Sequence, residues 1–137
     1  MNSSGKKEPT EIITSTAVKR LVNLNKEICK ELKKPFGVDQ SILNEIIHSV
    51  NLYTDVVDSR ARIAKKAANL LAGITTRRPF ANGNFESGFQ FMLNFVEDAG
   101  FDLPYHKAEQ LLLVSKFVHD DYSKIQRIVE KYLLDYL

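Results

Sequence analysis

The sequence predicts an all-α fold, a single-domain bundle of about six helices around a central phenylalanine-rich helix. Three observations lead there. Apolar residues recur at i, i+3 and i+4 in the long segments. No run shows the strict alternation of a half-buried strand. The stretch Phe85 to Val96 is apolar on most of its faces, the pattern of a helix surrounded by others. The chain has 137 residues, enough for one domain with its own core and no staples. Residues 1–12 read as a disordered tail and 13–137 as the helical domain.

The first helix carries Val18, Leu21, Val22, Ile28, Cys29 and Leu32 at helical spacing, with Thr16 as its expected N-cap. Lys33 and Lys34 suit the negative end of its dipole, and Pro35 stops it. Asp39 caps a second helix with Ile42, Leu43, Ile46 and Ile47 turned inward. Asp55 or Asp58 opens a third, whose inner stripe Ala61, Ala64, Ala68 and Leu71 permits close packing; it runs to about Thr75.

The fourth helix spans Asn84 to Asp98, with Phe85, Phe89, Phe91, Met92, Phe95 and Val96 in the core and Gly100 as its stop. Pro104 precedes a fifth, with Ala108, Leu111, Leu112, Val114 and Phe117 expected inside. Asp120 or Asp121 caps the last, where Tyr122, Ile125, Val129, Tyr132, Leu133 and Tyr136 form one stripe.

Composition sets bounds on function. The net charge of +2 does not by itself call for nucleic acid, which is not expected as a partner. A single cysteine, Cys29, excludes an internal disulfide and a cysteine-based zinc site. No apolar leader and no run of about 20 apolar residues is present, so a cytoplasmic protein without membrane contact is expected. His48, His106 and His119 share no metal-binding spacing, and no resident metal is expected.

The most informative stretch is Arg78-Pro79-Phe80-Ala81-Asn82-Gly83-Asn84. Asn-Gly-Asn is turn chemistry, because Gly83 and either Asn tolerate positive φ. The turn opens a helix whose first N–H groups have no partners inside it, and helix starts attract anions. Arg77, Arg78, Asn82, Gly83 and Asn84 are therefore the candidate anion- or nucleotide-binding residues. Arg60, Arg62, Lys65, Lys66, Arg77 and Arg78 lie in a stretch without an acidic residue between Ser59 and Phe85. They read either as a positive collar or as a solvated helix face.

The same stretch resembles the signature loop of the Fic/Doc (death-on-curing) family, His-x-Phe-x-Asp/Glu-Gly-Asn-Lys/Gly-Arg. Gly37 to Leu43 is similar to a segment common in Doc-like proteins, Ala67 to Ile74 to the helix that delivers the loop, and Asn94 to Phe101 to the end of the next helix. The resemblance covers about residues 16 to 135, in the family's order. It implies a Fic/Doc-like helical fold and, by analogy alone, a toxin–antitoxin or protein-modification setting with an antitoxin-like or target protein as partner. Self-association is a further possibility for such a protein.

The resemblance also implies what each loop position would do, and this chain departs from it at four. The family's histidine base is replaced by Arg78, which does not deprotonate in a protein. The carboxylate that holds magnesium on a nucleotide is replaced by Asn82, a neutral and weaker ligand. The phosphate-gripping lysine and arginine are replaced by Phe85 and Glu86. Loss of a general base alone typically costs about 100- to 10,000-fold.

The expectation is thus a divergent Doc-like protein with a decayed catalytic motif, binding a partner protein or a phosphate-bearing ligand. A nucleotide with magnesium is the cofactor the resemblance would supply. Two alternatives stand beside it. One is an active, non-standard phosphoryl- or nucleotidyl-transferase using Glu86. The other is a helical nucleic-acid-binding module using the cations of the third helix.

Overall fold

A computed structural model describes residues 10–137. Among them the chain forms six α-helices and no strand, one all-helical domain. They are α1 (Ser15–Leu32), α2 (Gln40–Asn51), α3 (Ser59–Arg77), α4 (Asn84–Asp98), α5 (Tyr105–Lys116) and α6 (Tyr122–Tyr136). The expected tail falls outside the described residues over 1–9. Its last three positions are described below, because they are tied to the bundle.

Local chemistry explains most boundaries. Asp39, Asp58 and Asp121 each accept a hydrogen bond from a backbone N–H of the helix that follows, so each supplies a side-chain cap. The cap of α1 is Thr14 rather than Thr16, its hydroxyl accepting from the Ala17 N–H at 3.2 Å. Lys33 closes α1 in the left-handed conformation ahead of Pro35. The α3 helix runs to Arg77, beyond the expected Thr75, and Arg78 ends it with φ of 52°. Gly73 does not interrupt it. A Cβ there would lie 2.9 Å from Ile46 Cγ2, so the glycine is what lets α2 approach α3 this closely.

The core is one cluster drawn from all six helices. Phe89, Met92 and Phe95 of α4 are buried, as expected. The most completely covered helix is nevertheless α3, buried without a break from Lys66 to Thr75. It packs against α2, α4 and α6, while α4 packs against α1, α3 and α5. Small side chains on α3 explain the difference, since alanines allow three neighbours to close around one axis.

The outer helices depart most from expectation. On α5 only Leu111 and Ser115 are buried, and Leu112, Val114 and Phe117 face outward. On α6 the inner stripe is Ile125, Val129 and Leu133, with Tyr122 and Tyr136 at its edges, 40% and 41% exposed.

A short strap precedes α1. Ile13 is buried and exchanges two hydrogen bonds with the Asn51 side chain at the end of α2, at 2.9 and 3.0 Å. The Thr10 N–H donates to the Asp98 carbonyl at the end of α4. Glu11 receives two bonds from Arg62 of α3, from Nε at 2.5 Å and Nη2 at 2.7 Å. The Lys66 ammonium, 1% exposed, donates to the Glu11 carbonyl at 3.3 Å and lies 3.7 Å from its carboxylate.

Candidate functional site at the start of α4

The loop between α3 and α4 is held by its own side chains. Asn84 closes it: the Phe80 N–H donates to Asn84 Oδ1 at 2.9 Å, and Asn84 Nδ2 donates to the Phe80 carbonyl at 2.8 Å. Phe80 fills the core beneath. Gly83 is the N-cap residue, with φ of 72°, and α4 has no side-chain cap. The N–H groups of its first turn therefore have no side-chain acceptor.

Two neighbouring segments brace the turn. Residues 37–39 form an antiparallel bridge with it at Val38 and Phe80, with Ala81 N–H donating to Gly37 O at 2.9 Å and Asp39 N–H to Pro79 O at 2.6 Å. Asn25 of α1 is fully buried and reaches the turn from the other side. Its Nδ2 donates to the Asn82 carbonyl at 2.8 Å and to Ser87 Oγ at 3.2 Å. Asn25 was not singled out in the sequence. The available signal is an asparagine within the stripe Leu21, Asn25, Cys29, where a core helix otherwise carries apolar groups. Cys29 is buried there, its thiol 3.5 Å from Asn25 Oδ1.

A pocket of about 270 Å³ opens at this helix start. Arg78, Asn82, Gly83, Asn84, Phe85 and Glu86 line it from the loop and α4, and Leu32, Lys34, Thr75, Lys116 and His119 from elsewhere. The lining includes three permanent cations, Lys34, Arg78 and Lys116, against one carboxylate, Glu86. Glu86 forms no ion pair with Arg78 or any other described residue.

Thr75 adds a polar atom. It is 5% exposed, and its Oγ1 has no hydrogen-bond partner among the described residues. Its neighbour Thr76 bonds back to the Ala72 carbonyl at 2.7 Å, the ordinary outlet for a helical hydroxyl, whereas Thr75 does not use that outlet.

Of the sequence candidates, Arg78, Asn82, Gly83 and Asn84 meet at this pocket and Arg77 does not. Arg77 points toward α2, its guanidinium 2.9 Å from Glu45. Phe85 is buried and tilted against Phe89, with ring centroids 5.9 Å apart. Asn84 spends its side chain on Phe80, so it contributes shape rather than a ligand bond.

The donor set does not suit magnesium. Glu86 is the lone carboxylate lining the pocket, and Asn82, whose Nδ2 donates to the Pro35 carbonyl at 2.9 Å, offers a hard dication only a neutral amide oxygen. No group of three histidine, cysteine, aspartate or glutamate side chains is placed to hold a metal among the described residues. The α3 cations are largely engaged within the molecule. Arg62 and Lys66 meet Glu11, Lys65 lies over the Tyr53 ring and Arg60 donates to the Leu134 carbonyl. No helix among the described residues is long and apolar enough to cross a membrane.

No protein-family model matches the chain, and no curated protein or solved structure is found similar to it. The class of protein defined by fold and site is thus a small helical domain with a cationic pocket at an uncapped helix start.

Proposed function

We propose that this chain is a divergent Fic/Doc-like protein that binds a phosphate-bearing ligand in the pocket at the start of α4, without the family's transfer chemistry. One observation carries the reading: three cations and a helix start without a side-chain cap border the same pocket. Each favours an anion with several acceptor oxygens. The positions of the family's base and metal carboxylate are held here by Arg78 and Asn82. Arg78 is no base, and Asn82 would offer a metal only a neutral amide oxygen. Phosphoryl transfer rests on metal-assisted positioning and charge stabilisation. A target or antitoxin-like protein bearing a phosphate or carboxylate at its contact would use the same pocket.

The test is titration of the protein with phosphate, pyrophosphate and ATP, with and without magnesium, followed by amide chemical shifts. The amides of Gly83, Asn84 and Phe85 are expected to move first, without a magnesium requirement. If they stay still while remote lysines respond, the reading fails.

Glu86 supports the second reading, a non-standard transferase, because it lines the pocket unpaired. Label transfer from ATP to a protein, abolished by Glu86→Ala, would establish that reading instead.

A further inference from the structure

Among the described residues, the outer face of α5 has no partner. Tyr105 is 78% exposed, Leu113 62% and Phe117 88%, with Leu112 and Val114 also open. Exposed apolar side chains grouped on one helix mark an interaction site. We infer that this face is the seat of a twofold dimer in which the α5 helices of two copies lie antiparallel.

The charge pattern of α5 selects a second copy as the occupant. Glu109 and Lys116 are both exposed and lie two turns apart on one stripe, with Leu112 and Leu113 midway between them. A twofold axis passing between Leu112 and Leu113 sets Glu109 of one copy opposite Lys116 of the other. Symmetry makes that pair twice. A parallel arrangement would instead set like charges against each other.

Beside Glu109 and Leu112, on the side toward α4, the surface falls into a groove. Ala108 is a wall of this apolar groove of about 480 Å³, lined also by Leu93, Phe101, Leu103, Tyr105 and Leu112. Lys107 stays outside this pattern, because its ammonium lies 4.2 Å from the Tyr136 ring centroid on α6. A basic helix from another protein would match the groove's acidic rim of Glu97, Asp102 and Glu109. Lys116 lies outside that groove, so such a helix would leave it unpaired, whereas a second copy pairs it with Glu109.

The test is sedimentation of the full chain over a concentration series, in phosphate-free buffer because Lys116 also borders the pocket at α4. The chain is expected to reach twice its 15.6 kDa mass. Glu109→Lys alone and Lys116→Glu alone should each weaken self-association about tenfold or more, since each creates two like-charge contacts. The combined variant should restore the dimer, because the exchanged charges again oppose.

Leu113→Asp should give a monomer with unchanged helical circular dichroism. If it unfolds, the charge variants decide, as they alter exposed side chains only. A wild-type chain that stays monomeric overturns the inference, including one that takes up a basic helical peptide. So does a dimer indifferent to the single charge changes, or a combined variant that stays monomeric.

Discussion

Asn84 and Phe80 are bonded to each other twice, the side-chain amide of one taking the place of a second backbone strand for the other. Both residues are buried, so water cannot replace either bond. Asn84→Ala is expected to strand one N–H and one carbonyl, at about 1–3 kcal/mol for each group left unsatisfied. Urea unfolding measures the loss. A change below about 0.5 kcal/mol, the scale of an ordinary surface substitution, would show that the loop does not depend on this pair.

Gly83 is required twice over. Its φ of 72° is one that a β-branched residue resists, and an added Cβ would lie 3.1 Å from Ile28 Cγ2 and 3.3 Å from Asn25 Nδ2. Gly83→Val should cost about 1–3 kcal/mol in strain and abolish phosphate binding. Arg77→Ala should leave that binding unchanged, since Arg77 faces Glu45. Calorimetric titration of both variants tests the contrast, and equal losses would count against the pocket.

Much of this fold was legible because its signals are local. Asp39, Asp58 and Asp121 act through a neighbouring N–H, and Gly83 through its own φ, so sequence placed α4 at the residues it occupies. Arg77 and Arg78 were not separable in that way. They are adjacent, but one ends a helix and the other turns left-handed, so their side chains diverge. Lys34, Lys116 and His119 reach the pocket only through tertiary packing, and no spacing announces them. The apolar residues of α5 misled for a related reason: periodicity reports a face, not whether a monomer covers it.

The Glu11 clasp should govern acid stability. The Arg62 hydrogen bond is the largest influence on the Glu11 carboxyl and holds it below its ordinary 4.5; partial burial opposes this, and the charges of Arg62 and Lys66 assist. A carboxylate with a depressed folded-state pKa stabilises above its unfolded value and loses that contribution as pH falls through the folded one. Stability should therefore decline below about pH 4.5, and Glu11→Gln should flatten that limb. Thermal melts between pH 3 and pH 6 (roughly the carboxylate range) make the comparison. An unchanged acid limb would remove Glu11 from the account.

Glu11→Ala at neutral pH tests the same clasp differently. It leaves the buried Lys66 ammonium facing no carboxylate. Glu11 is itself partly exposed. The cost should therefore fall between the ~1 kcal/mol of an exposed pair and the ~3–5 kcal/mol of breaking a buried one. Adding Lys66→Met should recover part of it in denaturant unfolding. A double variant less stable than Glu11→Ala alone would show that Lys66 stabilises by other means.

Phe95→Ala should cost about 3–5 kcal/mol, the usual range for emptying a buried aromatic site. Phe95 is buried on the α4 face beneath the strap. A loss under about 1 kcal/mol in chemical denaturation would place it outside the working core.

The strap formed by Thr10 to Ile13 has a consequence for the order of assembly. Its partners are Asn51, Arg62 and Asp98, all made later than the strap itself. During synthesis these early residues must wait while four helices emerge, because the Thr10 bond has no acceptor until Asp98 exists. Closing so long a loop carries an entropic cost that local helical turns do not. The first described residues of the chain are thus among the last to be fitted, and a nascent chain stopped short of α4 holds Ile13 with no Phe91 or Phe95 to cover it.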